Sequence, residues 1–145
     1  MDHWTAAAVA AVFIWLGMVL AISFLEAPLK FRAPGVTIPL GLAIGRLVFR
    51  ALNTCEAVLA AVVVVALVAA GSFRTGVVVA VLVAIAALLA QVIGVRPALA
   101  RRSDAVLADA SQAESGRSQA HYVYVVFEVV KVVALPSGGV LLLDL

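Results

Sequence analysis

Two residues of opposite charge, Glu128 and Lys131, lie three positions apart inside a strongly apolar run that extends from Tyr122 to Leu135. An ionised side chain in hydrocarbon is unfavourable, and membrane proteins usually retain one for a function or for a buried pairing. A carboxyl group and an amino group in such a place can relay protons, bind an ion or hold a polar solute. This pair is therefore the first candidate site, although it does not identify a substrate.

Helical periodicity places these residues in one of two polar stripes. The stripe on the fourth apolar segment contains His121, Tyr124, Glu128 and Lys131. The stripe on the second apolar segment contains Arg46, Arg50, Asn53 and Glu56. At ~100° per residue, the first set occupies an arc of about 80° and the second an arc of roughly 120°.

The two stripes predict specific pairings. If both helices start on the same side of the membrane, a rise of ~1.5 Å per residue brings Glu56 and Lys131 to similar depths. We expect Lys131 to meet Glu56, and Arg46 or Arg50 to meet Glu128. Two interpretations stay open: a relay or ligand pocket, or a structural contact, since interhelical hydrogen bonds in membranes average only ~0.6 kcal/mol.

Two further polar residues are secondary candidates. Glu26 precedes Lys30 by four residues, which is the spacing of a local ion pair on a helix. Gln91 lies near the end of the third apolar segment. We predict that it bridges helices and does not bind a ligand.

The amino-acid composition indicates whether these helices lie in water or in a lipid bilayer. The chain is 66% hydrophobic and 12% charged, with a mean hydropathy of +1.20. A globule of 145 residues cannot keep that much apolar surface away from water. The chain therefore belongs in a bilayer, and no soluble catalytic or nucleic-acid-binding module is predicted.

Four apolar stretches are long enough to cross a ~30 Å hydrocarbon core as helices. The predicted fold class is an all-α, integral membrane four-helix bundle that forms one domain over 1–145. The predicted spans cover about 4–27, 40–71, 76–95 and 119–143, with loops at about 28–39 and 96–118. The first span lacks the basic flank and cleavage site of a signal peptide, so we predict that it is retained.

Three prolines help to predict where the helices begin, bend or end. Pro28 is expected to end the first helix, whereas Pro39 suits the first turn of the second. Pro136 predicts either a kink in the fourth helix or its end. The polar segment 101–120 is either a surface helix broken near Ser115 and Gly116 or a flexible connector.

The basic residues predict an orientation. Most of them flank the two long loops: Lys30, Arg32, Arg46, Arg50, Arg96, Arg101, Arg102 and Arg117. The other side has Arg74. The positive-inside rule then places the loops in the cytoplasm and both termini outside a bacterial-type inner (plasma) membrane.

Metal and cofactor signals are missing from the pattern. His3 and His121 are in different segments, and Cys55 is the single cysteine. Neither a disulfide, a zinc site nor a copper site is expected from such ligands. No cofactor is predicted.

Several short motifs resemble a known class of membrane protein. They are Trp15-Leu16-Gly17, the segment from Phe24 through Glu26 and Pro28 to Phe31, Gly45-Arg46 with Phe49, and the segment from His121 to Lys131. Together they resemble small bacterial four-helix membrane proteins of a domain-of-unknown-function class. That class is distantly similar to eukaryotic transmembrane proteins linked to metal-drug resistance and to the CopD-type copper-resistance membrane domain. The chain lacks the clustered His and Met ligands that copper handling would need.

The first functional hypothesis is transport or permeation of a small ion or polar solute through a polar cluster on helices two and four. The alternatives are a non-catalytic assembly or stress-response protein and, third, a lipid-acting membrane enzyme that uses Arg46 and Arg50 at headgroup depth. The expected partners are the lipid bilayer and a second copy of the chain in a homodimer. Nucleic acid is not expected.

Overall fold

The computed structural model describes residues 1–71, 73–109, 111 and 119–144. Within these ranges, four helices are long and apolar enough to cross a membrane: α1 (His3–Arg32), α2 (Ile38–Ala70), α3 (Thr75–Ala108) and α4 (Gln119–Leu143). The predicted fold class, an all-α four-helix membrane bundle, is confirmed. The limits of the domain and the positions of the membrane boundaries along the helices stay predictions.

Three of the helices are longer than a membrane requires. Helices α1, α2 and α3 contain 30, 33 and 34 residues, or about 45–51 Å at ~1.5 Å per residue, against a hydrocarbon core of ~30 Å. We call the end where α1 and α3 finish and α2 and α4 begin the arginine-rich end, and the opposite end the terminal end. At the terminal end, the Arg74 guanidinium donates to the Leu141 carbonyl at 3.4 Å.

One predicted helix end was wrong, and another helix extends beyond its predicted span, for one physical reason. Helix α1 continues past Pro28, its predicted end, to Arg32, and α3 continues beyond residue 95, where the predicted span ends, to Ala108. The segment 101–108 is therefore helical, in agreement with the surface-helix alternative for that part of the chain. In each case a wide π-helical segment comes first, Leu20–Glu26 in α1 and Gln91–Val95 in α3. Such a turn replaces the regular i→i+4 bonds, so the proline that follows it, Pro28 in α1 and Pro97 in α3, starts a new helical turn. Residues 115 and 116, the predicted break, lie outside the described part of the chain.

The remaining helix ends follow ordinary rules. Pro39 lies in the first turn of α2, as predicted, and Thr37 caps that turn through the Leu40 amide. Gly71 ends α2 with a φ of 64°, a left-handed conformation that glycine adopts readily. Pro136 lies inside α4, which continues to Leu143, so the alternative that α4 ends at Pro136 was wrong.

The helices pack as a square in which α1 contacts α2 and α4, and α3 contacts α4. Helices α2 and α4 lie on a diagonal and share little direct contact. The core is largely alanine, valine and leucine, with small residues at the close approaches. Large apolar side chains such as Val65, Leu82 and Val133 point outward, as expected for a surface that faces lipid.

Candidate functional site

Lys131 is completely buried at the centre of the bundle. Its ammonium group donates to the Glu56 carboxylate, which lies on α2. It also forms an ion pair at 3.0 Å with Glu128 one turn earlier on its own helix. Both carboxylates are buried as well, with exposures of 0% and 1%. One cation is therefore shared between two carboxylates that have almost no exposed surface.

The other two helices each supply a donor to this group. From α1, the Trp15 indole nitrogen donates to the Glu56 oxygen Oε1 at 2.8 Å. From α3, the Gln91 amide nitrogen donates to the Glu128 oxygen Oε1 at 2.7 Å. Both side chains are 0% exposed. The site is thus assembled by all four helices, which corrects the prediction that helices two and four alone form it.

Tyr124 and Asn53 extend the site toward the arginine-rich end. The Tyr124 hydroxyl donates to the Asn53 side-chain oxygen at 3.3 Å, and the Tyr124 carbonyl accepts from the Gln91 amide at 3.1 Å. The Phe49 ring packs edge-on against the Tyr124 ring at 5.3 Å. We call the complete set the midplane cluster: Trp15, Asn53, Glu56, Gln91, Tyr124, Glu128 and Lys131.

The midplane cluster lies deep along every helix. Trp15, Glu56, Gln91 and Lys131 are each about 18 Å or more from both ends of their helices, at ~1.5 Å per residue. Half of a hydrocarbon core is ~15 Å. The ionisable groups therefore lie far enough from both helix ends to fall near the middle of an apolar layer of that thickness, where charge is least favourable.

The hydrogen bonding of the cluster is incomplete on its acceptor side. Three buried oxygens have no protein partner: Oε2 of Glu56, Oε2 of Glu128 and Oε1 of Gln91. With all groups ionised, two carboxylates against one ammonium leave a net charge of −1. One proton or one monovalent cation would make the cluster neutral. The site therefore has three acceptor oxygens without a protein partner and one unbalanced negative charge.

One predicted pairing is confirmed and the other was wrong. Lys131 meets Glu56 as expected, but neither Arg46 nor Arg50 reaches Glu128. The Arg46 guanidinium instead pairs with the Asp104 carboxylate and donates to the Ala100 carbonyl at 3.1 Å. Arg50 is exposed on the outside of α2. Arg50 and Arg46 lie about 9 and 15 Å from Glu56 along α2, at ~1.5 Å per residue. The continuation of α3 to Ala108 supplies a nearer carboxylate, Asp104, for Arg46.

The remaining candidates have local roles. Glu26 pairs with Lys30 at 3.4 Å, and Gln91, already placed in the midplane cluster, bridges α3 to α4; both predicted contacts are confirmed. His121 is half-buried near the start of α4, where its ring meets the Tyr122 ring edge-on at 6.0 Å. It lies three residues before Tyr124, outside the set that surrounds Lys131.

Trp15 is the cluster residue that the two polar stripes do not predict, because it lies on the first helix and its indole ring is mostly apolar. A signal was available. Tryptophan favours the membrane interface, and a buried indole N–H usually has a partner. A tryptophan twelve residues inside the first helix therefore predicts an acceptor on a neighbouring helix.

The described residues contain no group of three or more His, Cys, Asp or Glu side chains that could hold a metal ion. No protein-family model, curated protein or solved structure matches this chain. The resemblance to the bacterial four-helix class stays a prediction. Fold and site together define a multi-pass helical membrane protein with ionisable groups at mid-depth.

Proposed function

We propose that the protein transports a small monovalent cation across its membrane through the midplane cluster, with the proton as the principal candidate. The observation that carries this proposal is the complete burial of Glu56, Glu128 and Lys131 at mid-depth. Intramembrane ionisable groups of this kind commonly mark ion pathways and proton relays.

The shared lysine suggests how the site would work. Lys131 contacts a carboxylate on its own helix and one on α2. When one carboxylate takes up a proton, its attraction to the ammonium weakens and Lys131 moves closer to the other. Release of the proton restores the shared arrangement. Trp15 and Gln91 hold one oxygen of each carboxylate in place, which leaves the second oxygen of each available.

The membrane orientation belongs to the same proposal. The arginine-rich end carries seven of the described basic residues: Lys30, Arg32, Arg46, Arg50, Arg96, Arg101 and Arg102. The positive-inside rule places that end in the cytoplasm and the termini outside a bacterial-type plasma membrane. Several of these basic residues lie on the extended parts of α1 and α3, which were predicted to be loops. A homodimer stays a prediction.

The test is ion flux into proteoliposomes, with a pH indicator inside for protons and radioactive sodium as a separate arm. Glu56→Gln keeps the shape of the side chain and removes its charge. Asp109→Asn makes the same chemical change at an exposed position outside the spans and is the matched control. We expect proton flux to fall at least tenfold in Glu56→Gln and to be unchanged in Asp109→Asn.

Other outcomes have equally clear meanings. Sodium uptake that depends on Glu56, without proton uptake, would identify the metal cation as the substrate. Native flux no greater than that of empty liposomes, with well-folded protein, would contradict transport.

A second candidate function is a non-catalytic assembly or stress-response protein whose cluster only specifies packing. The observation in its favour is that the cluster joins all four helices through Trp15, Glu56, Gln91 and Lys131. It predicts lower thermal stability in Glu56→Gln and no flux in any variant. The lipid-acting enzyme has less support, because Arg46 is already engaged by Asp104.

A further inference from the structure

The two halves of the bundle on either side of the midplane cluster differ in polarity. In addition to the oxygens of Glu56, Gln91 and Glu128, four buried side-chain atoms have no protein partner: Ser23 Oγ, Arg46 Nε, Asn53 Nδ2 and Ser103 Oγ. All four lie on the arginine-rich side of Glu56 and Lys131. In the described part of the terminal half, every buried side-chain nitrogen and oxygen has a partner.

Two of these atoms, on Ser23 and Asn53, belong to helices that also supply central residues of the cluster, Trp15 and Glu56. Asn53 is one turn from Glu56, about 5 Å along α2, and Ser23 is about 12 Å from the level of Trp15 along α1. Tyr124 stands beside Asn53 through its hydroxyl group. The segment that contains Ser23 packs against both α2 and α4, so the three polar side chains belong to the interior of the same half.

The backbone of this half is also less regular. The π-helical segment Leu20–Glu26 surrounds Ser23, and the segment Gln91–Val95 begins at the cluster residue Gln91. Wide turns of this kind are frequent at functional sites. Both start at or beyond the level of the cluster and extend toward the arginine-rich end.

The terminal half is apolar and closely packed. Its core consists of residues with little or no exposure, among them Ala8, Val12, Val63, Leu67, Val77, Val81, Leu135 and Leu142. A Cβ atom added at Gly139 would lie 2.8 Å from the Phe13 ring. Thr5 is the buried polar side chain of this half among the described residues, and its hydroxyl donates to Asp2 in the first turn of α1.

These differences predict where water can enter. Buried polar groups without a protein partner are usually satisfied by ordered water. A closely packed apolar region stays dry, because no polar group there compensates for the lost hydrogen bonds of the water. The arginine-rich half therefore favours a chain of water molecules, and the terminal half opposes one.

We propose that the midplane cluster exchanges protons with water through the arginine-rich half alone, along Ser23, Asn53 and Tyr124, and that the terminal half is closed. As an account of transport, this inference rests on the proposed function. It adds the side from which the proton reaches Glu56 and Glu128. Complete transport would then require the terminal half to open.

Cysteine accessibility in detergent-solubilised, full-length protein tests the inference, because both ends of the bundle then meet water. In a Cys55→Ala background, two pairs of single cysteines sample the halves at similar depths. Ser23→Cys is compared with Ala8→Cys on α1, and Asn53→Cys with Ala60→Cys on α2. The probe is the silver ion, a small cation that reacts with thiols. Mass spectrometry after alkylation of the unfolded protein gives the fraction protected.

We expect silver to react at least tenfold faster at Ser23→Cys and Asn53→Cys than at their partners, relative to the rates in unfolded protein. Equal rates within both pairs, faster reaction in the terminal half, or no reaction at any of the four sites would overturn the inference. Size-exclusion profiles and melting temperatures identify a variant that has not folded. If one pair contains such a variant, the reaction rates of the other pair test the inference.

This experiment is independent of flux. One-sided access in a protein without flux would leave the inference intact and contradict transport. Flux with equal access from both halves would support transport and overturn the inference.

Discussion

Two ion-paired regions of the bundle use the same chemistry in different surroundings. Lys131, Glu56 and Glu128 are 0–1% exposed at mid-depth, whereas the Arg46 and Asp104 side chains are 34% and 65% exposed at the arginine-rich end. Both regions join helices that are far apart in sequence. The buried group is sensitive to any loss of charge balance, while water and salt weaken the exposed pair. Environment therefore decides how much each ion pair contributes.

The largest effect is expected when the central cation is removed. Lys131→Met leaves two buried carboxylates without an ammonium, and loss of one partner of a buried pair costs about 3 kcal/mol or more. The free energy of unfolding, measured by steric trapping or denaturant titration in micelles, checks this.

A triple variant sharpens the same comparison. Lys131→Met combined with Glu56→Gln and Glu128→Gln removes every charge at once, and neutral replacement of a whole buried ion pair is often tolerated. We expect it to regain most of the lost stability. A Lys131→Met loss below about 1 kcal/mol would mean that the buried group behaves like the exposed pair.

A medium effect is expected at Trp15. Trp15→Phe keeps an aromatic ring and removes the indole donor that bonds to Glu56 at 2.8 Å. A buried acceptor that loses its donor costs about 1–3 kcal/mol. Thermal unfolding measures the loss, and Trp4→Phe is the control because Trp4 is 51% exposed. Equal stability in the two variants would show that the bond contributes nothing.

A small effect is expected at the exposed pair. Arg46→Ala removes its ion pair with Asp104, and exposed pairs contribute about 0–1 kcal/mol. Added salt should reduce even that difference. Unfolding of Arg46→Ala and native protein at low and high ionic strength provides the measurement. A loss as large as that of Lys131→Met would contradict the comparison.

The smallest effect is local and depends on pH. Asp2 caps α1 by accepting from the Thr5 amide at 2.8 Å, and this hydrogen bond lowers the pKa of Asp2 below its ordinary value of 3.8. The cap is therefore complete above pH 3.8 and is lost as the pH falls through the lower, folded-state value. Hydrogen exchange of the Thr5 amide should accelerate there beyond its intrinsic pH dependence.

Asp2→Asn is the control for that measurement, since asparagine caps a helix without titrating. It should abolish the additional acid dependence. An unchanged pH profile in this variant would assign the effect to another group.

The membrane environment, the helical class and the pairing of Lys131 with Glu56 follow from the amino-acid sequence alone. Composition and the length of the apolar runs indicate a membrane bundle, because hydrocarbon admits helices with internally bonded backbones. The spacing of the polar stripes predicted the pairing of Lys131 with Glu56, because depth along a helix follows from residue number. Local spacing likewise predicted the pair of Glu26 with Lys30.

Only the tertiary structure decided which other side chains join Lys131 and where the helices end. Trp15 and Gln91 reach the carboxylates because α1 and α3 lie between the diagonal helices α2 and α4. Arg46 turns to Asp104 because α3 continues past its proline, which a π-helical segment permits. Such choices depend on which helices are neighbours and on the phase of each helix after a wide turn. A sequence pattern that assumes the same rotation angle for every residue does not contain that information.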